Sequence, residues 1–274
     1  MKNILKTIAI VLLIPAVFLL GLNFYGLTQE IRKPGLGKEP KEILRFENDI
    51  PLTYEASIKK INMLDKIQDP EQYLLAANAL VNQSITHVEW LKVDPSEYRQ
   101  LVPAWENYFL YFIGKFSGLE FYERYHFVDY KRSIKRGIGI CGDASMILNQ
   151  LLDMRNIDND IVVFPGHVMI SAKLPNGKEF VADPDFGVLL PIAVSELESN
   201  KAMVKEAYKV KGYKNNDSNL MGRILSGKYE AFDDTKHFIT KRYYFEYASY
   251  VLKWLVPFVM LILSILAFRK ANLS

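Results

Sequence analysis

At 274 residues, with a net charge of +3 and half of its residues hydrophobic, the chain is long enough for one substantial domain or two small ones. The charge is spread along the chain without a basic stripe, so nucleic acid is excluded as an expected partner. A single cysteine, Cys141, excludes an internal disulfide and leaves a lone thiol, a liability in an oxidising compartment unless it is used.

Residues 8–22 carry no charge, and the apolar run continues to Tyr25, enough to cross a bilayer. A cleaved leader would end in a small-x-small site; Asn23, Phe24 and Tyr25 stand there instead, so the run reads as a retained span at 7–25 behind a basic tail, 1–6, holding Lys2 and Lys6. Lys33-Pro34-Gly35-Leu36-Gly37-Lys38 has the composition of a linker, drawn at 26–49. A folded domain is expected over 50–246. It opens with a helix at 54–66, where Ile58, Ile61, Leu64 and Ile67 recur at three-residue steps. Asp69-Pro70-Glu71-Gln72 and Asp94-Pro95-Ser96-Glu97 each read as an Asp cap with proline at the first helical position, predicting helices at 70–83 and 95–116.

The middle changes character. Glycine-rich Arg136-Gly137-Ile138-Gly139-Ile140 leads into a helix beginning at Cys141, with Ala144, Ile147, Leu148, Leu151 and Leu152 on one face. Strands are expected at 160–164, 167–174 and 179–182, the last two joined by a Pro175-Asn176-Gly177 turn. Ser195-Glu196-Leu197-Glu198 reads as a capping box opening a helix that runs to Tyr208, followed by a polar loop at 211–218; 219–246 shows no clear period. A second apolar run, 247–268, reaches bilayer length if Tyr247 to Lys253 lie in the interface, and Arg269 and Lys270 close it in a tail at 269–274. The basic residues of the two short tails place both in the cytoplasm and the intervening domain outside.

Three residues carry the expected chemistry. Cys141 would sit at the positive end of a helix dipole, over unpaired N–H groups that can hold a developing oxyanion. His167, at a strand start after a Pro-Gly break, can accept the thiol proton. Asp183-Pro184-Asp185 ends the returning strand, where a carboxylate can fix the imidazole tautomer. Each residue alone has a plain structural explanation: a small buried core residue, a satisfied histidine, a turn. The three-residue loop with glycine left-handed pairs Leu174 with Lys178, which sets His167 opposite Asp185 and Asp183 opposite Met169, both carboxylates on the histidine side.

In their order, these segments resemble the transglutaminase-like, papain-related core. Gly139-Ile140-Cys141-Gly142-Asp143-Ala144-Ser145 resembles that family's nucleophile segment, and Met154-Arg155-Asn156-Ile157-Asp158 its turn from helix to strand. Gly166-His167-Val168 is similar to its histidine strand and Phe180-Val181-Ala182-Asp183-Pro184 to its aspartate motif, the whole covering residues 127–191. The resemblance implies an α+β fold in which a helical N-terminal half packs on a nucleophile helix and antiparallel sheet, flanked here by two transmembrane helices, as in a membrane-anchored, bacterial-type member. It implies catalysis by Cys141, His167 and Asp183, with Asp185 the alternative orienting acid, and no cofactor or metal. Val168 and Met169 stand where the family often has an aromatic. Tyr125 and Tyr130 are the upstream candidates for its oxyanion side chain. The implied function is a thiol-dependent amidase, protease or transglutaminase-type acyltransferase acting on a peptide, amide or envelope-component substrate outside the membrane. The alternative is a non-catalytic binding or assembly module of envelope or polysaccharide machinery.

Overall fold

The computed structural model describes residues 2–40, 42–46, 49–211, 218–225 and 227–273, and the sequence-expected polar loop at 211–218 lies largely outside them. In chain order the described helices are α1 (Lys2–Leu27), α2 (Tyr54–Leu64), α3 (Pro70–Ser84), α4 (Ala104–Phe116), α5 (Glu120–Glu123), α6 (Tyr130–Arg136), α7 (Cys141–Met154), α8 (Lys201–Val210), α9 (Ser218–Ile224), α10 (Thr235–Phe238) and α11 (Thr240–Leu273). The strands are β1 (Thr86–His87), β2 (Ile138–Gly139), β3 (Asp158–Phe164), β4 (His167–Lys173), β5 (Glu179–Asp183), β6 (Val188–Leu190) and β7 (Glu230–Phe232). The protein is therefore mixed α+β, and its chain divides into two compact units.

The first unit comprises residues 1–33, 94–125 and 244–274. Both α1 and α11 are long and apolar enough to cross a membrane. On α1 the buried positions Ala9, Ala16 and Asn23 recur every seven residues, and on α11 so do Pro257, Ser264 and Ala271. Small residues at this spacing let two helices approach along one seam. Ser264 Oγ donates to Ala9 O at 2.7 Å and Asn23 Nδ2 to Lys253 O at 2.6 Å.

Residues 94–125, expected inside the 50–246 domain, belong to this unit. Asn107 Nδ2 donates to Ser249 Oγ at 2.8 Å and Tyr108 OH to Lys253 O at 2.9 Å, which ties α4 to α11. The expected helix at 95–116 is corrected. Asp94 Oδ1 does accept from the N–H groups of Ser96 and Glu97, but Arg99 takes a left-handed φ of 56° and the turn stops. The helix begins afresh after Pro103, and Asn107 interrupts it once more, its Oδ1 accepting from the N–H groups of Phe109 and Leu110.

The second unit, residues 34–93 and 126–243, holds an antiparallel five-stranded sheet in the order β6-β5-β4-β3-β7. One face carries Ile161, Ile170, Ala172, Phe180 and Ala182 against Ile147, Leu148 and Leu151 of α7, with Leu74 and Leu80 of α3 behind them. The other face carries Val162, Met169, Val181 and Val188 against Val204 and Tyr208 of α8. The alternation of strand residues thus feeds two cores at once. β7 lies in the stretch without a clear period; its three residues pair with β3 and cover that edge of the sheet.

Two further expectations change. The 195–208 helix starts later: Glu196 Oε2 accepts from Ala193 N at 3.0 Å within a 3₁₀ turn at Val194–Glu196, and α8 follows. The end of the expected linker is bound to the domain. Leu44 bridges Val88, Arg45 N donates to His87 O at 2.9 Å, and Glu89 N to Ile43 O at 2.8 Å.

Candidate active site

Cys141 is the first residue of α7. Its entry is held by β2, which pairs in parallel with β1 so that His87 stands beside Gly139. Gly139 is required by close approach: a Cβ there would meet Asp143 Cβ at 2.8 Å and Ile85 Cδ1 at 3.0 Å. Asp143 Oδ2 caps the helix by accepting from Ile140 N at 3.0 Å and also faces His126 Nδ1 at 2.8 Å. Burial works to raise Asp143, but His126, Arg136 and the Ile140 N–H outweigh it and hold the carboxyl below its ordinary range. Beside the thiol, Gly142 leaves open space where a Cβ would stand.

Helical spacing brings the thiol to the histidine. Ser145, one turn after Cys141, donates its Oγ to Val168 O at 3.1 Å and pins the start of α7 to the start of β4. His167 is the first residue of that strand and Asp183 the last of β5, so both side chains emerge at the sheet end where α7 begins. The Sγ of Cys141, a ring nitrogen of His167 and a carboxylate oxygen of Asp185 lie within 4.8 Å of one another. All three residues are buried, Cys141 being 8% exposed.

His167 Nε2 is taken by Asp183 Oδ2 at 2.7 Å, leaving Nδ1 as the nitrogen for the thiol. The same oxygen of Asp183 accepts from Tyr208 OH at 2.6 Å, and its Oδ1 accepts from Phe186 N at 3.2 Å. Burial alone would lower the imidazole; Asp183, by charge and hydrogen bond, and Cys141 outweigh it and push His167 up to about 10. Phe186 stands edge-on to both His167 and Tyr208 and walls the pair on that side.

The unbulged register holds, with Ile170 opposite Ala182 and Leu174 N bonded to Lys178 O at 2.8 Å. It does not make Asp185 the hydrogen-bond partner of the histidine, because β5 ends at Asp183 and the chain turns away at Pro184. Asp183 reaches His167 diagonally across the pair. Asp185 instead accepts a short hydrogen bond from Arg45 Nη1 on Oδ2, while its Oδ1 stands 3.7 Å from His87 Nε2. Its main chain is fixed by Asn82 Nδ2, which donates to Asp185 O at 2.9 Å. Burial raises Asp185 above the ordinary carboxylate range against the pull of Arg45 and His87.

Arg45, Asp49, His87 and Tyr208 are therefore site residues that sequence reasoning passed over. His87 is fully buried, with Nδ1 against Asp49 Oδ2 at 2.8 Å and Phe46 edge-on to its ring. Burial works to lower it, but the Asp49 hydrogen bond and the charges of Asp185 and Asp49 raise it. A usable signal existed: the chain has only four histidines, and each holds a ring nitrogen against an aspartate.

Tyr125 falls in the first unit, stacked on Tyr122. Tyr130 opens α6, its N–H donating to Gln150 Oε1 at 3.3 Å in the third turn of α7, far from Cys141. Among known proteins, no family model, no curated protein and no solved structure matches the chain.

Proposed function

We propose that the protein is a membrane-anchored, cysteine-dependent acyl-transfer enzyme of the transglutaminase-like kind. The observation that carries this reading is the alignment of Cys141 at a helix start, His167 beside it, and Asp183 on the far ring nitrogen at 2.7 Å. A histidine pushed up to about 10 is an imidazolium at neutral pH, the natural counter-ion of a thiolate.

The thiolate attacks an amide carbonyl carbon, the C–S bond forms and the carbonyl π pair moves to oxygen. Main-chain N–H groups of the first turn of α7 face that oxyanion. Its collapse breaks the C–N bond, and His167 Nδ1 delivers its proton to the leaving nitrogen. A thioester and a neutral imidazole remain. Water or an amine then attacks while Nδ1 takes its proton, and the returning electron pair expels the thiolate. Asp183 keeps the ring fixed throughout, and Tyr208 keeps Asp183 fixed.

The flanks of the two spans, Lys2 and Lys6 at one end and Arg269 and Lys270 at the other, favour cytoplasmic tails and an external domain. Its substrate is then a peptide, amide or envelope component. Labelling of an introduced cysteine at exposed Leu91 (Leu91→Cys in a Cys141→Ala background) by an impermeant maleimide on intact cells tests this side. Protection until the membrane is permeabilised reverses the orientation.

The chemistry is tested by iodoacetamide kinetics and by mass spectrometry of acyl groups trapped on wild type against Cys141→Ala. Fast labelling that His167→Ala slows, with an acyl group found on Cys141, is expected. Labelling at the rate of an ordinary thiol, unchanged in His167→Ala, would leave the non-catalytic module as the better reading.

A further inference from the structure

Segment 94–125 lies between the two stretches of the second unit in sequence, yet it packs with the two helices of spanning length. The first turn of α4 is pinned where their apolar runs end. Asn107 Nδ2 donates to Ser249 Oγ at 2.8 Å and Tyr250 OH to Glu106 Oε1 at 2.6 Å. Lys253, the last charge before the apolar run of α11, donates its Nζ to Glu106 O. Near the end of α1, Gly26 lies so close to α4 that a Cβ there would collide with Trp105 O. The other end of the segment is fixed as well. Tyr122 of α5 packs edge-on against Phe245 with ring centroids 5.5 Å apart, and a Cβ on Gly114 would meet Tyr122 O at 2.6 Å. Both ends of α4–α5 are thus tied to Phe245–Lys253 of α11, a stretch about 12 Å long.

The outward face between these ties is apolar. Phe112, Phe116, Leu119 and Phe121 are all exposed, Phe116 by 71%, and the rings of Phe112 and Phe116, one helical turn apart, stack at 5.8 Å. In the second unit, exposed large apolar residues such as Leu75, Leu91 and Met154 stand singly, which is ordinary for a protein surface. Four crowded into 112–121, on an element clamped at the end of two spans, mark a contact surface. Lys115, Glu120, Glu123 and Arg124 flank them with cancelling charge, so the surface is not built for a charged partner.

We propose that α4 and α5 form an interfacial element lying in the headgroup layer of the membrane that α1 and α11 cross, with Phe112, Phe116, Leu119 and Phe121 immersed at its acyl boundary. The level on α11 decides the occupant. A face held beside the last charge before a span meets headgroups and the first methylenes of the lipid, the layer where aromatic rings and lysines collect, and Tyr247 and Tyr250 lie on the same stretch of α11. Neutral lipid suffices, because the contact is apolar. The inference rests on the membrane-anchored part of the function proposed above and is independent of its acyl-transfer chemistry.

The test places a nitroxide on single cysteines in the full Cys141→Ala chain, reconstituted in phosphatidylcholine vesicles. Phe116→Cys and Phe121→Cys report on the surface, Ile262→Cys on α11 and Leu91→Cys on the second unit, all at exposed positions. Oxygen concentrates among acyl chains and a neutral nickel chelate stays in water, so the ratio of their effects in electron paramagnetic resonance reads depth. At Phe116 and Phe121 the ratio is expected about 3- to 10-fold above that at Leu91 and below that at Ile262. Circular dichroism of each labelled chain checks that it folds. A ratio equal to that at Leu91, with Ile262 still in lipid, places the face in water and overturns the proposal while the anchors stand. Shielding from both reagents means that protein, such as a second copy, covers the face, and overturns it too. Nickel access at Ile262 removes the anchors and the proposal with them; acyl transfer then stands or falls on trapping at Cys141 alone.

Discussion

The two units handle buried polarity differently. In the helical unit, Asn23, Ser264 and Tyr108 end on main-chain oxygens, at Lys253 O and Ala9 O, and the side-chain pair Asn107–Ser249 joins two groups that do not ionise. Around Cys141 the ionisable groups meet side chain to side chain, as His167–Asp183–Tyr208, His87–Asp49 and Arg45–Asp185. A bond to the main chain fixes one helix against another and has no second state. A chain of ionisable side chains fixes geometry too, but it can also move a proton or accept a ligand.

The contrast can be broken most decisively at the thiol. Cys141→Ala is expected to lower acyl transfer by roughly 10⁴-fold or more, read by single-turnover release from an amide probe. Next comes the orienting acid. Asp183→Asn should cost about 10³-fold in kcat, by analogy with loss of the carboxylate from other triads, and Asp185→Asn nearer 10-fold. Full activity in Asp183→Asn together with loss in Asp185→Asn would transfer the orienting role to Asp185.

The third effect is one of pH. His167 in the folded protein stands at about 10, above its ordinary 6.5, so its contribution to stability is complete below pH 6.5 and disappears as pH rises through 10. Urea unfolding should show stability falling over that interval, and His167→Gln should flatten the fall. A wild-type profile as flat as the variant's would contradict the ion-paired histidine.

Smaller effects sharpen the comparison. Tyr208→Phe removes one hydrogen bond to Asp183 and should slow acyl transfer about 3- to 10-fold without changing the alkaline limit by much. Ser264→Ala, on the helix seam, should cost only about 0.6 kcal/mol of thermal stability in detergent. It should leave iodoacetamide labelling of Cys141 unaltered, and a change there would mean that the seam also shapes the site.

Much of this was legible locally. The three strands from 158 to 183, the turn register at Leu174 and Lys178, and the helix starts at Pro70 and Cys141 follow from alternation, turn chemistry and caps, all of which act within a few residues. The helix expected at 95–116 misled because a valid Asp94 cap says nothing about Arg99, a few residues later, taking a left-handed conformation. Tyr208 was legible only as the end of a helix, since its ring packs among apolar residues and only its hydroxyl reaches Asp183.

The sequence by itself determined two apolar helices of spanning length, the α+β order of elements and the candidacy of Cys141, His167 and Asp183. Periodicity, charge and nearby turns suffice for these. Only the tertiary structure decided that Asp183 rather than Asp185 bonds His167, because that choice depends on where β5 ends and how the chain leaves it. Only the tertiary structure gathered Arg45, His87 and, behind it, Asp49 around Asp185 from segments about 55 to 95 residues upstream of Cys141. Their placement rests on the Leu44–Val88 bridge and the β1–β2 pairing, contacts between distant segments that no local pattern announces.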